Sequence, residues 1–381
     1  MSAKTQVKDQ VVLECQNLQG LLDALRKRGY DLIGPILREG AIIFDEIAKV
    51  EDLPAGWSDE QDGGTYRLKK TDAPWLFRFN NGPHSCKKYL HPAQLLLSQV
   101  HRNGRYLDIT APPNPPRPLA FIGIHACDLR AVAVMDTVFS GGPYPEPGYA
   151  ARLNSSFFVA VNCIKAGGTC FCASMGTGPK AQSGFDLALT EVLDGNRHFF
   201  AVEVGSDKGG EVLADVPTEA ARPGELESAA RLITAAEGSM GRTLDNQGIK
   251  ELLYANLEHP RWDHVANRCL TCSNCTMVCP TCFCMTVEDT TDLAGTAAER
   301  WRRWDSCFTL DFSYVFGGSV RATPRARYRQ WMLHKLATWH DQFGSSGCVG
   351  CGRCIAWCPV GIDITEEARA IRGTSAAPAK E

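Results

Sequence analysis

The residues best suited to chemistry in this chain are its cysteines, seventeen in 381 positions. Eleven of them lie between positions 269 and 358. The stretch CLTCSNCTMVCPTCFC, residues 269–284, sets Cys269, Cys272, Cys275 and Cys279 at the spacing C-x2-C-x2-C-x3-C and follows them with Pro280. CVGCGRCIAWCP, residues 348–359, repeats the spacing with Cys348, Cys351, Cys354, Cys358 and Pro359. Thiolates so spaced suit iron-sulfur cubes. The short gaps let one tight loop offer three sulfurs to three irons, and the longer gap with its proline sends the fourth sulfur to the neighbouring cube. This crossing rule predicts one [4Fe-4S] cluster on Cys269, Cys272, Cys275 and Cys358, and a second on Cys348, Cys351, Cys354 and Cys279. Such centres store and pass single electrons. The alternative is structural zinc, but zinc is usually held by two separated C-x2-C pairs, not by three consecutive thiols closing on Cys-Pro.

The other cysteines leave two readings open. Cys127, Cys163, Cys170 and Cys172 fall at the ends of expected strands and in the glycine-rich loop IKAGGTCFCASMGTGP. They could converge on a third metal centre or be small buried hydrophobes. Cys282, Cys284 and Cys307 supply three thiols that would need a borrowed fourth ligand; Cys15 and Cys86 stand alone and read as buried. Gly347, Gly350 and Gly352 are expected to let backbone N–H groups approach the sulfurs. Arg261, Arg268 and Arg353 either offset cluster charge or sit solvated at the surface. Isolated histidines such as His125, His264 and His334 read as ordinary core or surface residues. No G-x-G-x-x-G lies between a strand and a helix, since MGTGPKAQSG at 175–184 has another spacing, and there is no P-loop, H-E-x-x-H or G-x-S-x-G. No catalytic residue and no nucleotide site is therefore expected in this chain, and nothing beyond the clusters is expected to be bound.

These ligands need a scaffold. The predicted fold class is α+β: an N-terminal mixed α/β domain, residues 1–225, followed by a helical, bacterial-ferredoxin-like domain for two [4Fe-4S] clusters, residues 226–381. Helical spacing runs over VVLECQNLQGLLDALRK (11–27), and YDLIGP, AIIFDEI and WLFRF read as short strands. PPNPPRP at 112–118 is a stiff connector. Beyond it, LAFIGIHACDLRAVAVMDTVF reads as a strand leading into a helix from about 128 to 138, and SFFVAVNC reads as another buried strand, the order of an α/β layer. The polar, proline-marked segment 205–227 reads as the junction. After it the texture is helical, and RARYRQWMLHKLATWHDQF, 325–343, is expected to form one helix joining the two cysteine runs.

Composition sets outer bounds. Hydrophobic residues make up 44% and charged residues 22%, with a net charge of −3, ordinary for a globular protein and without the basic excess of a nucleic-acid partner. The N-terminus lacks the order of a signal peptide, and no apolar run approaches the roughly 20 residues that span a bilayer. A cytoplasmic location with no direct membrane span is expected, and in a reducing compartment so many thiols point to metal rather than disulfides.

Together, FIGIHACDLRAVAVMDTVF, VAVNCIKAGGTCFCASMGTGP with GFDLALTE, HPRWDHVANRCLTCSNCTMVCPTCFC and RYRQWMLHKLATWHDQFGSSGCVGCGRCIAWCPVGIDITEE resemble the iron-sulfur beta subunit of cytoplasmic NAD(P)-linked [NiFe] hydrogenases, the sulfhydrogenases. The A subunit of anaerobic sulfite reductase is similar. The resemblance runs from about 82 to 367, and the cysteine runs and the GTCFC loop are its most specific parts. It implies a non-catalytic relay subunit with two [4Fe-4S] clusters. Its implied neighbours are a flavin subunit (a diaphorase) that exchanges hydride with NAD(P)H, and a [NiFe] hydrogenase small and large subunit pair or, alternatively, sulfite reductase subunits.

Overall fold

The computed structural model describes residues 6–80, 82–111 and 117–374. From the N-terminus, β1 (Gln10–Glu14) passes through a 3-10 turn into helix α1 (Leu18–Lys27). The first part of the stretch expected to be helical is thus a strand: Val11 and Val12 pair with Val202 and Ala201, and a sheet partner outweighs helical spacing over so few residues. Next come the hairpin β2 (Asp31–Arg38) and β3 (Ala41–Glu46), and a second hairpin, β4 (Trp57–Asp62) and β5 (Thr65–Lys70). WLFRF at 75–79 is not a strand. The carboxylate of Glu191 accepts the N–H groups of Leu76 (2.6 Å) and Phe77 (2.8 Å), leaving an irregular segment whose apolar side chains plug the core.

The chain continues through β6 (Gln94–Asn103) and β7 (Tyr106–Thr110), and residues 112–116 of the expected connector lie outside the described residues. Then β8 (Leu119–Ile124) enters α2 (Ala126–Phe139), and β9 (Phe157–Val161), β10 (Leu187–Asp194), β11 (Arg197–Val204) and the short β12 (Glu219–Ala220) complete an eight-stranded sheet. Its order is β12-β1-β11-β10-β9-β8-β2-β3. The central run β2, β8, β9, β10 is parallel and its flanks are antiparallel. FFVAV of β9 is buried throughout because both sheet faces are covered. Helix α1 packs over one face through Leu18, Leu21, Leu22 and Leu25, while α2 covers the other through Leu129, Met135 and Phe139. The polar junction opens directly into α3 (Pro223–Gly238), whose Ala229 packs on Val12, Val192 and Phe199 of the same sheet.

The C-terminal part has its own core around Trp262, Phe308, Tyr328, Trp331 and Leu336. Between the two cysteine runs lies an element the sequence did not suggest, the hairpin β13 (Met285–Thr291) and β14 (Ala297–Trp304). Its β14 pairs with β6, so a four-stranded antiparallel sheet, β13-β14-β6-β7, is built from both halves of the chain. The expected joining helix is present over Pro324–Phe343, but its middle, His334–Thr338, is wound as a π-helix. No helix among the described residues is long and apolar enough to cross a membrane.

Candidate metal centre

The first cysteine run leaves the helix Arg261–Ala266 and closes on a single turn, Asn274–Met277. The second is built alike, around the turn Arg353–Ala356. Their backbones repeat one another in detail. Thr271 (φ 50°) and Ser273 (φ 67°) are left-handed in the first run, as are Gly350 (φ 66°) and Gly352 (φ 73°) at the matching places in the second. In both runs this curl turns an N–H onto the first sulfur, Thr271 N to Cys269 Sγ and Gly350 N to Cys348 Sγ, each at 3.4 Å. A third such bond runs from Ile362 N to Cys358 Sγ, 3.3 Å. Donors of this kind stabilise thiolates and tune a bound cluster.

The sulfurs gather across the two runs. Cys269, Cys272, Cys275 and Cys358 line one cavity of about 420 Å³ of empty space, walled by Phe308 and Trp331 and also touched by Cys354. Cys279 does not line it. Burial pushes Cys348 up to about 12, against the N–H of Gly350, and the nearby Cys351 and Cys279 add to the rise. Cys354 is likewise raised, first by burial and then by Cys348, Cys351 and Cys279. Cys358 thus lines the cavity of the first run, while Cys279 lies near enough to Cys275 of the first run and to Cys348, Cys351 and Cys354 of the second to act on all four. Among the described residues no three His, Cys, Asp or Glu side chains close in tightly enough for a single ion; the thiols ring a space instead. That donor set, with N–H groups aimed at sulfur, fits cubes whose irons each take one thiolate.

Positive charge lies under the second group. Lys335, 3% exposed, comes from the π-helical turn and donates to Thr281 Oγ1 at 2.8 Å. Burial alone would lower its pKa, but Cys279, Cys282 and Cys348 around it prevail and raise it. Arg353 is buried as well, clamped by Asp128 at 2.7 and 2.8 Å. The expectation of a surface position therefore fails for Arg353, because the N-terminal half covers it. Arg261 and Arg268 instead both grip the buried Glu367, Arg268 at 2.7 Å. Of the three glycines, only Gly350 donates to a sulfur. A Cβ on Gly347 would lie 2.4 Å from the Trp339 ring, and one on Gly352 would lie 2.2 Å from Thr169 O, so these two serve close packing.

The remaining thiols fall into two sets. The neighbouring Cys282 thiol holds Cys279 well below its ordinary pKa, and the neighbouring Cys307 lowers Cys284 to about 7. Cys127, Cys163, Cys170 and Cys172 line a second cavity together with His125 and Arg353. His125 is held neutral by burial, which lowers it to about 4; His264 is exposed, and burial lowers His334 to about 4. Cys15 starts the turn before α1 and Cys86 is buried alone. Sequence reasoning missed Lys335, Lys87 and Asp128. Lys87, 7% exposed, reaches the Met277 and Cys282 carbonyls at 3.2 and 3.3 Å and lies 4.0 Å from the Trp304 ring centre. No spacing rule links position 87 to 282; only the fold does.

Comparison with known proteins agrees with this geometry. Residues 268–362 match the family model described as a 4Fe-4S dicluster domain, which spans both cysteine runs. The chain is 35% identical over 249 residues to the Sulfhydrogenase 2 subunit beta of Pyrococcus furiosus, covering 63% of this chain and 70% of that one. It is 32% identical over 111 residues to the F420-dependent formate dehydrogenase 1 subunit beta of Methanococcus maripaludis, 28% of this chain and 27% of that one. No solved structure matches it. With two thirds of the length of its Pyrococcus relative covered at this identity, the chain belongs to the family of sulfhydrogenase beta subunits, and it carries an iron-sulfur domain of the [4Fe-4S] type.

Proposed function

We propose that this chain is a non-catalytic, cytoplasmic electron-transfer subunit. It relays single electrons between an NAD(P)H-linked flavin subunit and a [NiFe] hydrogenase module. The observation that carries the reading is Cys358 of the second run lining the cavity of Cys269, Cys272 and Cys275, with Cys279 outside that lining and close to Cys348 and Cys354. On this reading Cys269, Cys272, Cys275 and Cys358 hold one [4Fe-4S] cluster, and Cys348, Cys351, Cys354 and Cys279 hold the other. When bound, each cluster supplies a one-electron store in a soft thiolate shell.

The chain's own residues set the conditions for that store. Phe308, Trp331 and Ile362 keep water from the first group, and less water makes each N–H dipole count for more. Lys335 and Arg353 place fixed positive charge beside the second group, which favours its more negative, reduced state. Cys272 is exposed and Leu270 is 61% exposed, so the first run is the face at which a partner subunit would exchange electrons. The division at about residue 225 then separates a docking scaffold from the cluster-bearing part, although the sheet of β13, β14, β6 and β7 stitches the two.

The name of the Pyrococcus relative favours a hydrogenase over a sulfite reductase as the catalytic module. Anaerobic isolation of the natively associated complex, with metal analysis and absorbance spectra, tests this. Nickel and flavin copurifying with the chain are expected; siroheme absorbance without nickel would overturn the hydrogenase assignment.

A further inference from the structure

We propose that Cys127, Cys163, Cys170 and Cys172 hold a third [4Fe-4S] cluster, set in the N-terminal sheet domain and abutting the ligands of the second run. The proposal deepens the relay reading and rests on it for the nature of its neighbour.

The four thiols come from three separate places. Cys127 lies in the first turn of α2, just beyond the carboxyl end of β8, and Cys163 just beyond the carboxyl end of the adjacent parallel strand β9. Cys170 and Cys172 are supplied by the loop between β9 and β10. The carboxyl edge of a parallel sheet is where α/β folds bind their ligands. Three segments are thus brought together on one narrow cavity lined by four thiols, as the cavity at the first group is lined by Cys269, Cys272, Cys275 and Cys358.

Independent features around the cavity point to an anionic sulfur-bound group. His125 is 3% exposed, lines the cavity, and its Nε2 has no hydrogen-bond partner; a buried polar atom of that kind calls for one. Glycine backbone also comes close to two of the sulfurs. A Cβ on Gly167 would lie 3.0 Å from Cys170 Sγ, and one on Gly178 would lie 3.1 Å from Cys172 Sγ. The guanidinium of Arg353 borders the cavity, and the N-terminus of the fourteen-residue α2 adds favourable dipole at Cys127.

The position completes a line. Cys351, a ligand of the second run in our reading, also lines this cavity, and Cys170 Sγ lies 3.9 Å from its carbonyl oxygen. Phe171 N donates to Gly350 O at 2.9 Å and Thr177 Oγ1 to Val349 O at 2.6 Å, fixing the loop to the second run. The side chain of Arg353 joins the two sites through Asp128, the neighbour of Cys127.

Iron and acid-labile sulfide are counted in the full-length chain, purified anaerobically, reconstituted with ferrous iron and sulfide, and desalted. About twelve irons per chain are expected, and about eight in the double variant Cys170→Ser/Cys172→Ser. About eight in the parent overturns the third cluster and leaves the two-run reading standing; fewer than about four overturns both. Equal iron in parent and variant, or one zinc replacing the third set of irons, also overturns it. The parent count needs no variant, so it decides the matter even where the double variant fails to fold.

Discussion

The two cysteine runs share a backbone but not an environment. At their two left-handed positions the first carries Thr271 and Ser273, the second Gly350 and Gly352. A left-handed residue with a side chain costs of order 1–3 kcal/mol, so something must forbid the side chains in the second run or tolerate them in the first. The answer lies in what covers each. The GTCFC loop presses on the second run, and a Cβ on Gly350 would sit 2.7 Å from Cys172 Cα. Over the first run Leu270 and Cys272 face outward and side chains have room. Matching backbones thus stand in two different surroundings. One run is locked into the N-terminal domain, and the other is presented at the surface.

This contrast can be broken by paired substitutions, the largest effect first. Cys354→Ala in the covered run is expected to lose about four irons and to destabilise the whole interleaved region. Cys272→Ala at the exposed corner should lose about one iron and leave the fold intact. Iron analysis with circular dichroism compares the two; equal damage would contradict the asymmetry. Next, Arg353→Leu strands the buried carboxylate of Asp128 and should cost about 3–5 kcal/mol in denaturant unfolding. Arg268→Leu should cost about 1 kcal/mol or less, because Arg261 still holds Glu367. The smallest contrast is the most specific. Gly352→Ala must displace Thr169 O and adopt a left-handed φ, costing about 2 kcal/mol or more. Ser273→Gly at the matching place should change stability by less than about 1 kcal/mol, since relieved strain is offset by the freer unfolded chain.

How much of this was legible in the sequence follows the range of each signal. The proposed ligand quartets are read from short spacings, and their proposed crossing at Cys279 and Cys358 from the Cys-Pro that turns the chain. The buried strands β8 and β9 are readable as continuous apolar runs. The hairpin of β13 and β14 was not, because TVEDTT and ERWRR are dominated by charged and polar residues with no alternating apolar face, and its strand character is decided by pairing with β6 some 200 residues earlier. Residues 11–14 misled in the same way, through a distant sheet partner. The buried charges around the two runs, Lys335, Lys87 and Asp128, carry no local motif at all. Asp128 becomes a site residue because the N-terminal half closes over Arg353, Lys87 because it reaches the Met277 and Cys282 carbonyls, and Lys335 because its helix runs beneath Thr281 and Gly347. The glycines at 347 and 352 looked like sulfur-facing glycines and proved to be contact glycines, a distinction that spacing cannot express.

The central claim is that each run lends its last sulfur to the other. An anomalous-difference map recorded at the iron edge, from anaerobically grown crystals of the full chain, tests it directly. The account predicts one compact iron centre bounded by Cys269, Cys272, Cys275 and Cys358, and another bounded by Cys348, Cys351, Cys354 and Cys279. Iron enclosed by Cys269, Cys272, Cys275 and Cys279 alone, or a single ion in place of a cube, would contradict it.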